Sequence, residues 1–311
     1  MQPVVRIRNL SKGFGSIRAV DTVTMDVSTG EMFGIVGPDG AGKTTTMRLL
    51  CGLLTPTSGS AEVFGFDLQK NPDAVKKHIG YLSQRFTLYG DLTVDQNIEF
   101  FAEINGVYDY HARREELLAF TRLAPFRTRL AEQLSGGMKQ KLALACTLIH
   151  SPKLLLLDEP TTGVDPVSRR DFWKILQSLL SSGITIIMST PYLDEAERCT
   201  RVALMSNGKI LRIDDPSFLK RTIQADVVEI VCERAWEAAR LIRQHVRDVE
   251  VQVFGDRLNL VLSQRQSDPQ ALEALLHAHG IRVTGSRVVT PSLENVFISL
   301  LTHEVSTETV S

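Results

Sequence analysis

Gly37-Pro38-Asp39-Gly40-Ala41-Gly42-Lys43-Thr44 joins a short apolar run to a long helix-forming one. Two glycines separated by four residues, then lysine and a hydroxyl, suit a polyphosphate. Glycine lets the backbone take positive φ and approach a ligand closely. The loop amides then converge at a helix N-terminus, where free N–H groups and the macrodipole both favour an anion. Lys43 would reach the terminal phosphates, the Thr44 hydroxyl would take a place on Mg²⁺, and Thr45 continues the cradle. An acidic pair, Asp158-Glu159, follows Leu154-Leu155-Leu156-Leu157. Adjacent carboxylates at a strand end point to opposite sides, so Asp158 suits the metal and Glu159 the activation of an attacking water.

Three further positions carry weaker signals. Gln84 follows Ile79-Gly80-Tyr81-Leu82-Ser83, and an amide at a strand's C-terminal end can ligand Mg²⁺ or place a water. Leu134-Ser135-Gly136-Gly137-Met138-Lys139-Gln140 opens a helix with a natural N-cap and uncovered amides, which is either a second phosphate site or an ordinary capped helix. Phe14, in Lys12-Gly13-Phe14-Gly15, either stacks on a nucleobase or packs in its hairpin.

These residues need a scaffold, and hydrophobic periodicity supplies one. Met32 to Val36, Leu154 to Leu157 and Ile184 to Thr190 read as buried parallel strands, with a helix over Lys43 to Leu54. Val4 to Leu10 alternates like an edge strand, paired with Val20 to Val27. The Thr93-x-x-Gln96 capping box opens a helical run that interrupts the sheet at about 90–150. An amphipathic helix spans Val167 to Leu180, and Asn207-Gly208 marks a hairpin between Val202 to Ser206 and Lys209 to Ile213. Asp214-Asp215-Pro216 begins a linker, and beyond Asp226 the order βαββαβ suggests a small ferredoxin-like α+β domain at 226–303. In it Asp268-Pro269 caps a helix, a closing helix runs from Ser292 to Leu301, and a polar tail follows at 304–311.

The 311 residues suffice for two domains, and a net charge of -1 with interspersed acids and bases gives no general nucleic-acid or anionic-membrane binder. The 4 cysteines, Cys51, Cys146, Cys199 and Cys232, lie far apart and suggest buried free thiols. The N-terminal residues alternate rather than forming an apolar run, and no stretch approaches a bilayer span, so any membrane role is expected to come through a partner.

In this order and spacing, the loop, Gln84, LSGGMKQ and LLLLDEP resemble the ATP-binding-cassette (ABC) ATPases over about residues 4 to 220. LSGGMKQ discriminates most, because phosphate loops and acidic strands occur in many NTPases. TTGVDP, YLDEAE and the added C-terminal domain look most like bacterial ABC-2-type exporter ATPases, and in particular half-length relatives of the YbhF-type multidrug exporter subunits. The resemblance implies a P-loop cassette at 1–220 with an inserted helical subdomain and an accessory domain at 226–303. It makes Phe14 the adenine-stacking aromatic, Gly37 to Thr45 the ATP cradle, Lys43, Gln84 and Glu159 catalytic, and Thr44, Gln84 and Asp158 the Mg²⁺ set. Leu134, Ser135, Gly136, Gly137 and Gln140 would meet the nucleotide of a second cassette, with Asp165 in the loop between them.

Also implied are a head-to-tail dimer and separate integral-membrane permease subunits, contacted through Arg85 to Asp95 from the cytoplasmic face of a bacterial membrane. The family usually places a γ-phosphate-contacting histidine where this chain has Pro191, and no histidine lies between His150 and His245. That departure leaves three expectations open: a slow homodimer, an asymmetric pair with a different cassette, or a nucleotide-gated regulatory module. Cassette proteins that act on nucleic acid or ribosomes typically carry two cassettes or a long coiled coil. This chain has one cassette and no sustained heptads, so no nucleic-acid partner is expected.

Overall fold

The computed structural model describes residues 3–85, 88–223, 226–246, 249–262 and 269–308, the last six of these by backbone alone. It divides into two compact units, Met1–Ile213 and Asp214–Ser311.

In the first unit, β1 (Pro3–Phe14) and β2 (Ile17–Ser28) form a hairpin, followed by β3 (Met32–Val36) and helix α1 (Lys43–Leu50). Next come β4 (Ser58–Val63), β5 (Phe66–Asp67), α2 (Pro72–Lys76) and β6 (Ile79–Leu82). The helical part contains α3 (Val94–Ile104), α4 (His111–Thr121) and α5 (Gly136–Leu148). The sheet then resumes with β7 (Leu154–Asp158), α6 (Pro166–Ser181), β8 (Thr185–Thr190), α7 (Leu193–Ala196) and the hairpin β9 (Arg201–Ser206) and β10 (Lys209–Asp214).

Two sheets share the work. One has the order β10-β9-β3-β8-β7-β6, the other β2-β1-β4-β5. Strands β3, β7 and β8 are buried on both faces, which is why they read as unbroken apolar runs. Helix α1 presents Met47 and Leu50 to a core built from both sheets, including Ile7 and Leu10 on one side and Ile35 and Leu156 on the other. Parallel register aligns the strand ends: Val36 pairs with Thr190, Asp158 with Ser189 and Leu82 with Leu157. Gly37, Gln84, Glu159 and Pro191 therefore emerge along one edge, where open α/β sheets bind ligands. Helix α5 is buried from Leu142 to Leu148, as a helix packed on several sides must be. Buried Asn97 of α3 donates to the carbonyls of Tyr89, Leu92 and Thr93 and accepts from the Tyr89 amide, which fixes that loop.

The second unit contains α8 (Pro216–Thr222), β11 (Asp226–Cys232), α9 (Ala235–His245), β12 (Val249–Phe254), β13 (Arg257–Leu262), α10 (Pro269–Ala278), β14 (Val283–Val289) and α11 (Leu293–Glu308). Its strand order β12-β13-β11-β14 is antiparallel throughout, the ferredoxin-like arrangement. Ala238 and Ile242 of α9 and Leu272 and Leu276 of α10 pack with Val228, Ile230 and Leu260 of the sheet.

Four expectations change. β1 is not an edge strand, because β4 pairs with its free side while β2 takes the edge. α1 stops at Leu50, where Gly52 at φ 67 and the bond from the Leu53 amide to the Arg48 carbonyl form a left-handed cap. The linker after Asp214 is mostly helix α8, started by Asp215 accepting from the amides of Ser217 and Phe218. α11 continues past Leu301 to Glu308 through the stretch expected as tail, since no glycine or proline interrupts it. Asp268 lies outside the described residues, as do Phe86 and Thr87. Among the described residues all four cysteines are free and buried, and no helix is long and apolar enough to cross a membrane.

Candidate active site

The glycine loop is shaped from outside. A Cβ on Gly37 would lie 2.0 Å from the Met205 carbonyl oxygen, and one on Gly42, at φ 104, would lie 2.3 Å from that of Ala19. Both obstacles are backbone and cannot swing away. The Gly208 amide also donates to the Ala41 carbonyl, so β2 and the β9–β10 turn clamp the loop. α1 begins at this loop with Gly42 as N-cap, no side-chain cap and no acid in its first turn, leaving the amides of Lys43, Thr44 and Thr45 for an anion.

Lys43 is only 3% exposed; its Nζ donates to the carbonyls of Gly37 and Pro38 at 2.8 and 3.0 Å and lies 3.3 Å from Glu159 Oε1. Gln84 Nε2 donates to Glu159 Oε2 at 2.9 Å, and the Thr162 hydroxyl donates to the same oxygen at 3.4 Å. Asp158 has a separate set of donors: the hydroxyls of Thr44 at 3.0 Å, Ser189 at 2.6 Å and Tyr81 at 3.3 Å. Burial, then the charge of Asp158, holds the Tyr81 phenol well above its ordinary range, so it remains a donor. Glu159 sits at φ 50, a left-handed conformation unusual for its residue type. Its amide holds this position by donating to the Ser189 carbonyl and hydroxyl at 3.1 and 3.0 Å.

A cavity of about 540 Å³ opens over the loop. Phe14, 48% exposed, forms part of its wall, as do Gln84, Glu159, Pro191 and Tyr192. Sequence reasoning passed over Ser189, Tyr81 and Tyr192. Ser189 had a readable signal, a hydroxyl next to last in a strand whose end must face the ligand edge. The expected metal set is divided: Thr44 joins Asp158, whereas the Gln84 amide joins Glu159. A hydroxyl and a carboxylate are hard oxygen donors that fit Mg²⁺. Among the described residues no group of three His, Cys, Asp or Glu that could hold a metal stands together.

None of residues 134–140 lines this cavity. The Ser135 hydroxyl accepts from the Met138 amide, and Ser135 and Gly136 face solvent. Gly137 is buried against Ser168, whose Oγ would lie 2.3 Å from an added Cβ. Asp165 caps α6 by accepting from the amides of Val167 and Ser168, and hydrogen bonds from Ser168, its hydroxyl first, hold the carboxyl below its ordinary range.

A phosphate loop clamped at a helix N-terminus, beside two separately held carboxylates on one sheet edge, defines a P-loop nucleotide-binding cassette. The ABC transporter family model matches residues 20–162. The chain is 42% identical over 307 residues to the probable multidrug ABC transporter ATP-binding protein YbhF of Escherichia coli, covering 96% of this chain and 52% of that protein. It thus spans about half of YbhF. It is 34% identical to the daunorubicin/doxorubicin resistance ATP-binding protein DrrA of Streptomyces peucetius, covering 96% of this chain and 92% of DrrA. Among solved structures, the dimeric post-hydrolysis state of the cassette MJ0796 bound to ADP and Pi aligns with a TM-score of 0.60 and 26% identity, covering 68% of this chain and 98% of that one. The chain belongs to the ABC transporter family.

Proposed function

We propose that this chain is the ATP-hydrolysing subunit of an ABC-2-type exporter, working as a dimer of cassettes on the cytoplasmic face of a bacterial membrane and driving separate permease subunits. The observation that carries this reading is the convergence of Lys43, Gln84 and Glu159 above a loop that only glycine can form. ATP would place its β- and γ-phosphates on the free amides of α1, with Lys43 Nζ donating to their oxygens and Phe14 against the base. Glu159 accepts a proton from water as the water oxygen bonds to the γ-phosphorus and the bond to the β,γ-bridging oxygen breaks, giving ADP and phosphate. Gln84 holds the Glu159 carboxylate at the attack position. Mg²⁺, held by Thr44 and Asp158, would supply charge neutralisation for the phosphates. Residues 1–220 perform this chemistry, and 226–303 form an accessory domain. YbhF and DrrA carry drug-related names, which supports a drug-like cargo selected by the permease.

Leu134, Ser135, Gly136, Gly137 and Gln140 then complete the site of a second cassette, with Asp165 between the two. The dimeric MJ0796 structure supports this arrangement. Pro191 favours a second reading, a regulatory cassette with little turnover, because proline has no side-chain donor for the γ-phosphate. Steady-state ATPase assays of wild type and Glu159→Gln separate the two. The transport reading expects a loss of ~10²- to 10⁴-fold on removing the base, with nucleotide binding retained. Equal, background-level rates for both proteins, with binding intact, would favour the regulatory reading.

A further inference from the structure

Glu195 of α7 is a buried carboxylate, 1% exposed, that the nucleotide chemistry above does not use. The Thr161 hydroxyl donates to its Oε1 at 2.5 Å and the Thr190 hydroxyl to its Oε2 at 2.8 Å. Arg169 Nε, buried and with no hydrogen-bond partner among the described residues, lies 3.7 Å from Oε1, and the Arg169 guanidinium stands 5.1 Å from the centre of the Tyr192 ring. Thr161, Thr190 and Arg169 stand behind the cavity lining rather than in it, next to or against residues that line it. Thr161 follows Glu159 by two residues, Thr190 immediately precedes Pro191, and Tyr192 lines the cavity. Arg169 stands one turn into α6, its amide bonded to the Asp165 carbonyl.

Proline sharpens the need for such a clamp. Residue 191 has no backbone N–H, so the chain leaving β8 cannot be tied there. The next amide, that of Tyr192, donates instead to Thr190 Oγ1 at 3.0 Å, and the hydrogen of that hydroxyl is directed to Glu195. A carboxylate is costly to bury, and here its two oxygens accept from a hydroxyl at the end of β8 and one in the turn after β7.

We propose that Glu195 is a positioning residue of the ATPase site: its carboxylate fixes the Pro191-Tyr192 wall against the loop that leaves Glu159. This rests on the hydrolytic reading above. The test measures kcat, KM for ATP and melting temperature for wild type, Glu195→Ala, Glu195→Gln, Thr161→Val and the Glu195→Ala/Thr161→Val double variant. Loss of the clamp is expected to lower kcat about 10- to 100-fold while KM stays within about threefold, because the phosphate loop is untouched. Glu195→Gln restores kcat to within about fivefold of wild type, since its amide oxygen still accepts from Thr161 and its NH₂ group faces the Thr190 oxygen. The double variant is no slower than Glu195→Ala alone. Should Glu195→Ala fail to fold, Glu195→Gln and Thr161→Val carry the same comparison. Wild-type kcat in the Glu195 and Thr161 variants overturns the inference alone, as does a rise in KM that tracks lost thermal stability without recovery in Glu195→Gln. A wild type that binds ATP but turns over no faster than Glu159→Gln overturns the hydrolytic reading and this inference with it.

Discussion

Glu159 combines strain with reach. A non-glycine residue at positive φ costs of order 1 to 3 kcal/mol, and two hydrogen bonds from its amide to Ser189 offset that cost while aiming the carboxylate between Lys43 and Gln84. Pro191, across the cavity, contributes shape but no proton donor. Supplying a preorganised donor there is expected to raise kcat: Pro191→His should hydrolyse ATP ~10²- to 10³-fold faster than wild type, with nucleotide affinity little changed. Steady-state turnover alongside fluorescent-nucleotide binding checks both halves, and an unchanged kcat would mean that the site works without a donor at that position. Contiguous residues were the readable part of the candidate site: the chemistry proposed for Gly37 to Thr45 and for Asp158-Glu159 is carried by neighbours in sequence. Ser189, Tyr81 and Glu195 did not, because each acquires its partner only through strand register or helix packing, as Ser189 does by pairing with Asp158.

The loop and its helix depend on elements distant in sequence. Gly42 is confined by the Ala19 carbonyl of β2 and bends at φ 104, so Gly42→Ala adds both backbone strain and a clash. An expected loss of about 2 to 4 kcal/mol in denaturant unfolding, together with lost ATP binding, follows from those two terms. The sequence made Gly42 legible as a phosphate-loop glycine but not the carbonyl that enforces it. Buried strands such as β7 were legible from their unbroken apolar runs, whereas the central place of β1 was not, because its second partner β4 begins with exposed polar residues. Another packing effect sets a pH dependence just beyond α5. His150 Nε2 donates to the Ile79 carbonyl at 2.9 Å, while Nδ1 is buried without a partner among the described residues. Burial, opposed by that carbonyl, lowers the His150 pKa below its ordinary 6.5. The unfolded chain therefore binds this proton first as pH falls, so the group stabilises the fold above about pH 6.5 and that stability is lost in more acid solution. His150→Gln keeps a donor for Ile79 and cannot titrate. Its melting temperature should fall less than that of wild type between about pH 7 and 5, and parallel curves would rule His150 out as the titrating group.

The largest question is how a nucleotide site on one chain is completed. Its own cavity contains the phosphate loop, Gln84 and Glu159, whereas the glycine-rich start of α5 faces elsewhere and leaves Ser135 and Gly136 in solvent. Gly137 packs on Ser168 and Asp165 caps the same helix α6, so the start of α5 and the loop before α6 lie against one another. A two-fold dimer would present that face to the phosphate loop of a second copy, and each site would then need residues from both chains. Complementation tests this directly. Lys43→Ala removes the phosphate contact, Ser135→Arg blocks the face of α5, and each variant alone is expected to be inactive. Mixed in equal amounts with ATP, they should regain about a quarter of wild-type turnover, because half of the dimers pair unlike chains and each of those keeps one intact site of two. Recovery should saturate with protein concentration as dimers form. No recovery from two folded variants, with Ser135→Arg still binding nucleotide, would mean that one chain completes its own site, and the exposed glycines of α5 would then need another role.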